Sequence, residues 1–342
     1  MEHLIEIFNR FKEREAAGNS PLYVYWCGKI VEDQAILNLI SHIPKEQPKP
    51  NLFFASVQFV AAQKNHPLYS YIQHPKLSFY ELEQSFQQLI NLCQLYEVEL
   101  IHCFQTKYVQ TNEINRATYL YPIFSEIAKM TKLPLSLIEI GTSAGLLLNL
   151  DHFYYAISEK NSVIEFGNPN SDLQLTAQNL GEPLKSVFPF SVQNRIGYDL
   201  NIIDLTKEED YLWLNALIWP EQIERKERLK QVRKLNQSIT KQLLEEDFLT
   251  SLPNITAKLD ETTQIVIFHT HVANQFPEKL KKDFLQLLNQ LSNTRAIYHV
   301  YNNLFDGHLH VDFIQNGHTS SLKLIQHYDG HGKYFDWNEQ TE

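Results

Sequence analysis

Residues 135–151, LSLIEIGTSAGLLLNLD, place an acid, two hydroxyls and two glycines close together, and that spacing supports two chemistries. Gly141 and Gly145 bracket a turn in which the missing Cβ lets the backbone bend sharply and approach a ligand. Glu139 stands just before the turn, with Thr142 and Ser143 inside it. Read as G-T-S-A-G, the same turn fits a G-x-S-x-G nucleophile elbow, with Ser143 attacking a carbonyl. Small residues here also simply allow a strand and a helix to pack closely.

Each chemistry needs partners elsewhere. A turn that cradles a nucleoside needs a second acid at the end of the next strand, to accept hydrogen bonds from ribose hydroxyls. Asp199 in RIGYDLN ends an apolar run and is the first candidate, with Glu165 and Asp204 as alternates. The gap from position 139 to position 199 is long and requires an insertion. Asp247 in LEEDFL is a candidate near the adenine, and equally a surface acid or helix cap. Arg116 in QTNEINR could bind a carboxylate bidentately, or pair with Glu113 three residues earlier.

His269 and His271 flank Thr270 at the end of an apolar run, where open α/β sheets form ligand sites, and either could accept a proton. Like His308 and His310, they are two apart on a strand and share a face, as a metal pair would, but spacing supplies no third ligand. A hydrolase would use Ser143, an intervening Asp and His331, in the order Ser, Asp, His. That fold needs strands and an oxyanion loop before the elbow, whereas residues 1–133 read as helical and contain no HGGG.

An alternation of strand and helix signals positions these residues. Strands are expected at 135–140, 162–166, within 192–203, at 263–268 and at 296–301, with a helix opening at 144–149 and further helices at 214–235 and 277–291. Pro220 would lie in the first turns of the helix at 214–235. Such alternation means βαβ units and a parallel sheet. Residues 310–314 and 320–328 around Gly317 read as a closing antiparallel hairpin.

Residues 1–133 are mostly helical in pattern: Leu4, Phe8 and Phe11 share a face, and 35–43 and 79–95 are periodic. The proline-rich segment 44–50 is a loop. A helix at 113–130, capped by Asn112 or Thr111 and kinked or split at Pro122, leads into the strand at 135. The expected fold class is therefore α/β, a Rossmann-like and mostly parallel sheet with a C-terminal antiparallel hairpin, in domain 110–342, plus a helical N-terminal lobe at 1–109.

A chain of 342 residues that is 43% hydrophobic can bury a substantial core. Its formal charge of −10 argues against a grip on nucleic acid. Cys27, Cys93 and Cys103 are odd in number and form no C-x-x-C, which suggests neither a disulfide framework nor a thiolate metal site and fits a cytoplasmic location. No apolar run suits a signal sequence or a membrane span, so no membrane partner is expected. Oligomeric state is not legible.

The chain resembles the bacterial family called domain of unknown function 2332 through SPLY (20–23), PNLFFASV (50–57), QTNEINR (110–116), EIGTSAGL (139–146), RIGYDL (195–200), WLNALIWP (213–220), FHT (268–270) and HGKYFDW (331–337). Its E-x-G-x-x-x-G turn also resembles the first motif of Rossmann-like S-adenosylmethionine methyltransferases. The resemblance implies a methyltransferase-like fold and one cofactor cleft containing Glu139, Gly141, Gly145 and Asp199. It departs from the family pattern at Leu147 and Leu148, where an Asn commonly follows the G-L pair, with Asn149 displaced; the turn also lacks the middle glycine of G-x-G-x-G.

The resulting expectation is an S-adenosylmethionine-dependent methyltransferase acting on a small-molecule substrate. The cofactor would be bound by Arg116 through its carboxylate and by Glu139, Gly141, Thr142, Ser143, Gly145, Asp199 and Asp247. His269 or His271 would serve as base, and no metal is expected. The alternatives are a serine hydrolase using Ser143 and His331, and a non-catalytic cofactor-binding protein.

Overall fold

The protein is described here from a computed structural model covering residues 2–110, 112–185 and 187–338. It forms two compact units, Met1–Thr111 with Ile203–Lys230, and Asn112–Ile202 with Gln231–Glu342. The segment Ile203–Lys230 departs from expectation by joining the helical unit, so the stretch 110–342 is not one continuous domain.

Apolar burial explains that recruitment. The Trp213 ring meets Phe59 edge-on at 5.6 Å, and its indole N–H donates to the carbonyl of Tyr108 at 3.0 Å. Trp219 lies 5.4 Å from both Phe11 and Tyr23, and the Gln58 amide donates to the carbonyls of Ala216 and Ile218. The motifs at 20–23, 50–57 and 213–220 thus form one core around the helix Lys49–Gln63, which is buried nearly all round. Pro21 opens the helix Pro21–Ile30 behind a Ser20 cap, and Ser78 with Glu81 forms a capping box at the start of the helix Phe79–Leu95. Cys27, Cys93 and Cys103 are free and buried, with burial pushing the Cys27 thiol up to about 12 and the Cys103 thiol up to about 11.

The second unit is α/β. Its strands are β1 (Leu135–Ile140), β2 (Tyr154–Ser158), β3 (Val163–Gly167), β4 (Gln174–Asn179), β5 (Val192–Asp199), β6 (Gln242–Glu245), β7 (Gln264–His269), β8 (Ile297–Tyr301), β9 (Leu309–Gln315), β10 (His318–Ile325) and β11 (Tyr334–Phe335). Among the described residues they build a seven-stranded sheet in the order β10-β9-β8-β7-β1-β5-β6 and a four-stranded sheet in the order β11-β4-β2-β3. The strands β8, β7, β1, β5 and β6 are parallel, and β9 and β10 form the antiparallel hairpin.

β1 is buried along its whole length, and the chain turns outward in opposite directions from it, to β5 on one side and β7 on the other. A sheet of this kind binds ligands where the strand order reverses, outside the carboxyl ends of the strands. On one face, Ile138, Ile140, Ile196, Ile265 and Ile267 pack with Leu252, Phe284 and Leu288. Strand alternation turns Glu139 to the opposite face, where Phe268 meets Phe124 of the helix Ala117–Thr131 at 5.2 Å.

Four local differences from the sequence reading have physical reasons. The helix expected to open at 144–149 is a 3₁₀ segment, Leu147–His152, and the left-handed backbone of Gly145 keeps a right-handed helix from starting at 144. Pro122 does not split the helix Ala117–Thr131, which continues past its missing donor. Glu113, not Asn112, caps the preceding 3₁₀ turn through the Asn115 N–H; Thr111 lies outside the described residues. The expected helix at 214–235 is two, Glu208–Ala216 and Ile223–Asn236, with Pro220 between them.

Replacing Trp213 with Ala should lower the unfolding free energy of the intact chain by about 3–5 kcal/mol. Denaturant titration checks this, and a loss below about 1 kcal/mol would contradict the packing of 203–230 into the helical core.

Candidate functional site

The turn after β1 carries its own scaffold. Gly141, Ser143 and Gly145 all adopt left-handed backbone, with φ of +75°, +50° and +66°. A Cβ at Gly141 would lie 2.6 Å from the Val272 Cβ, so this position favours glycine by conformation and by space, while Gly145 favours it by its left-handed backbone. The N–H groups of Gly141 and Thr142 donate to the Tyr198 carbonyl at 2.8 and 2.9 Å. The Ser143 N–H donates to Asp199 Oδ2 at 2.8 Å, while Asp199 Oδ1 accepts from Asn201. The end of β5 therefore clamps the turn, and burial raises the Asp199 carboxyl above its ordinary value.

Glu139 is buried beneath that turn. Thr142 Oγ1 donates to its Oε2 at 2.6 Å, and Gly197 faces it in register on β5. A Cβ at Gly197 would lie 2.5 Å from Thr142 Oγ1, so this glycine makes the room that lets Thr142 fold back on the acid. Glu139 forms no ion pair with any described residue. Burial, opposed by the Thr142 hydrogen bond and reinforced by Asp199, pushes its carboxyl up to about 8. Lys241 supports the turn, donating to the Gly145 carbonyl at 3.3 Å, to Asn149 Oδ1 at 2.7 Å and to Asn236. Burial lowers this ammonium to about 7. Asn149, displaced in the family pattern, thus has a clear task.

The structure brings Glu139, Gly141, Thr142, Ser143, Gly145 and Asp199 together. Arg116 lies at the C-terminal end of β7, its Nε donating to the Gly330 carbonyl at 2.9 Å and its Nη1 to Thr270 Oγ1 at 3.3 Å. Glu113 turns instead to His331, 3.3 Å away. Asp247 is exposed and caps the helix Phe248–Thr256 through the Leu249 N–H, the helix-cap role that the sequence offered beside a place near the adenine. Of the alternate acids, Glu165 lies on β3 of the smaller sheet, and Asp204 belongs to the helical unit, where it accepts from Thr206. The strands β2, β3 and β4 supply the insertion between Glu139 and Asp199.

The two histidines diverge. His269 is wholly buried among Phe284, His299 and Tyr301, and burial pushes it down to about 3; neither ring nitrogen has a partner among the described residues. Its imidazole offers no surface to a substrate. His271 has left-handed backbone, with φ of +64°, and lies against the loop at 328–331. Ser143 Oγ accepts from the Asn112 amide, and His331 sits on Glu113, so the nucleophile and base of a hydrolase are not hydrogen-bonded to each other. His310 pairs with Asp306, and among the described residues no group of three His, Cys, Asp or Glu is placed to hold a metal.

Sequence reasoning missed Lys241, Asn302, Asn303 and Tyr328. The NN pair at the end of β8 was the available signal for two of them, since amides there can hold a neighbouring loop. No helix among the described residues is long and apolar enough to cross a membrane.

The family described as "Uncharacterized protein conserved in bacteria (DUF2332)" matches residues 5–337, which cover most of each unit and every site residue named above. No curated protein and no solved structure matches the chain.

Glu139 makes a signed prediction. Its folded value lies above the unfolded value of 4.5, so the stability it contributes is present in acid and is lost as pH rises through about 8. Glu139→Gln should therefore gain stability relative to the parent between pH 4.5 and 8, with a constant difference outside that window. Thermal melts across pH check this, and a pH-independent difference would contradict the buried, protonated carboxyl.

Proposed function

The chain belongs to this bacterial family, and we propose that its glycine turn binds S-adenosylmethionine for methyl transfer to a small-molecule acceptor. The observation that carries this reading is the buried carboxyl of Glu139, which forms no ion pair among the described residues and stands beside a glycine turn clamped by the acid of the neighbouring strand. A positively charged ligand at that point would supply the missing counter-charge. A sulfonium compound with an amino group fits that requirement, and its chemistry when bound is to offer an activated methyl group.

The chain's own residues divide the work. Gly141 lets the backbone approach the ligand, and Asp199, which holds the Ser143 N–H at the end of β5, is the strand-end acid placed to meet ribose hydroxyls. Glu139 would become ionised against the cationic centre. Methyl transfer asks little covalent help of a protein, because alignment of the acceptor in line and removal of its proton supply most of the acceleration. The hydroxyl of Ser143 accepts from an amide rather than an imidazole, which favours this reading over acyl transfer. Net negative charge favours a small acceptor over nucleic acid, and three free thiols fit a cytoplasmic setting.

Calorimetric titration of S-adenosylmethionine at pH 7, in buffers of different ionisation enthalpy, tests the reading. Binding should release about one proton as Glu139 ionises, and Glu139→Gln should abolish the release. Asp199→Ala should weaken affinity about tenfold or more, the contribution of a hydrogen bond to a charged group. Binding without proton release, or no binding heat in any buffer, would count against it.

A further inference from the structure

The loops after β7 and β8 bring together Arg116, expected from sequence to bind a carboxylate, and His271, expected to serve as base, and their surroundings define what they can bind. Arg116 is only 5% exposed, yet the partners of its guanidinium are neutral: the carbonyls of Gly330 and Thr270 and the Thr270 hydroxyl. Nη2 is bonded to no described residue, and no carboxylate of a described residue pairs with the group. A guanidinium cannot shed its proton, so taking it out of water without a counter-charge is costly. An anion from outside the chain would remove that cost.

His271 stands against the same glycine, its Cε1 and Nε2 lying 3.1 and 3.4 Å from the Cβ position of Gly330. The directions of the surrounding hydrogen bonds fix its tautomer. Asn302 Oδ1 accepts from the His271 backbone N–H at 2.6 Å, so the Asn302 oxygen is identified. Asn302 Nδ2 then donates to the Tyr328 hydroxyl, which passes its own proton to the Gly307 carbonyl. Asn303 Nδ2 reaches Asn302 Oδ1 at 3.1 Å and must be a donor, and the same nitrogen faces His271 Nδ1 at 3.2 Å. Nδ1 is therefore the acceptor, and Nε2 carries the hydrogen. That Nε2 is buried and has no partner among the described residues.

We infer that Arg116, Thr270 and His271 form a carboxylate-binding subsite, with Arg116 supplying the charge and the His271 Nε2–H a directed hydrogen bond. The Thr270 hydroxyl accepts from Arg116 and keeps its own proton to donate. Burial, aided by Arg116, holds His271 down to about 4, so it meets the anion as a neutral donor rather than as the proton acceptor that its position after β7 suggests. Left-handed backbone at a non-glycine residue is the kind of local strain found at ligand sites. The carboxylate has two possible sources, the amino-acid end of the cofactor or a carboxylic acid acceptor, and only the first rests on the reading above.

Two titrations of the intact chain separate them. The first compares S-adenosylmethionine with its decarboxylated form. The second compares acetate, butyrate and benzoate with their amides, on protein alone and on protein saturated with 5′-methylthioadenosine, which has no carboxylate. If the cofactor is the source, decarboxylation weakens binding about tenfold or more, and Arg116→Met or His271→Leu erases the difference. If the acceptor is the source, the two cofactor forms bind alike, while carboxylates bind and amides do not, again through Arg116 and His271. Both results support the subsite, and the comparisons on the parent chain need no variant to fold. Failure of every adenosyl compound to bind would remove the cofactor reading and leave the carboxylate arm standing. Equal binding of carboxylates and amides, together with indifference to decarboxylation, would overturn the subsite.

Discussion

Two acids from adjacent strands hold one turn, and the arrangement of the α/β unit follows from that constraint. Asp199 takes the Ser143 N–H and Glu139 takes the Thr142 hydroxyl, so the backbone between Gly141 and Gly145 is fixed from below and from the side. The clamp depends on Gly197, whose missing Cβ leaves space for Thr142. Burying Glu139 to do this has an electrostatic cost, met in the chain alone by keeping the carboxyl protonated. On the proposed reading, a cationic ligand would let this protonated acid at the reversal point of the sheet become charged.

The opposite charge is stored a short way along the same strand ends. Arg116 and Glu139 influence one another electrostatically without touching, and each lacks an ionic partner among the described residues. The segments carrying Arg116, Glu139, Asp199, Thr270 and Gly330 are far apart in sequence and meet only through the parallel register of β5, β1 and β7. A ligand with a positive and a negative group, as an amino acid has, would answer both requirements at once.

Much of this was legible beforehand, for reasons that can be named. β1 and the helix Phe79–Leu95 have the bounds that their periodicity dictates, since long apolar patterns leave little choice. The closing hairpin was visible around Gly317. By contrast, β4 reads QLTAQN and exposes alternate residues, and β6 is only QLLE, so neither has a run that stands out from loop. Lys241 was invisible as a support because Gly145 and Asn149 are distant in sequence and reach it only once β6 pairs with β5. His269 looked like a site residue because it ends β7, but strand alternation turns its ring into the core, whereas the left-handed backbone two residues later brings His271 against the loop at 328–331. The role of His271 as donor depends on two amides in a different loop, which no spacing rule encodes.

The most direct test of the account is a crystal structure of the full chain with S-adenosylhomocysteine, the stable product form of the proposed cofactor. The account predicts density along Gly141–Gly145, with the ribose hydroxyls on Asp199 and the amino group toward Glu139. Density elsewhere on the protein, or a turn that stays free of ligand at saturating concentration, would contradict it.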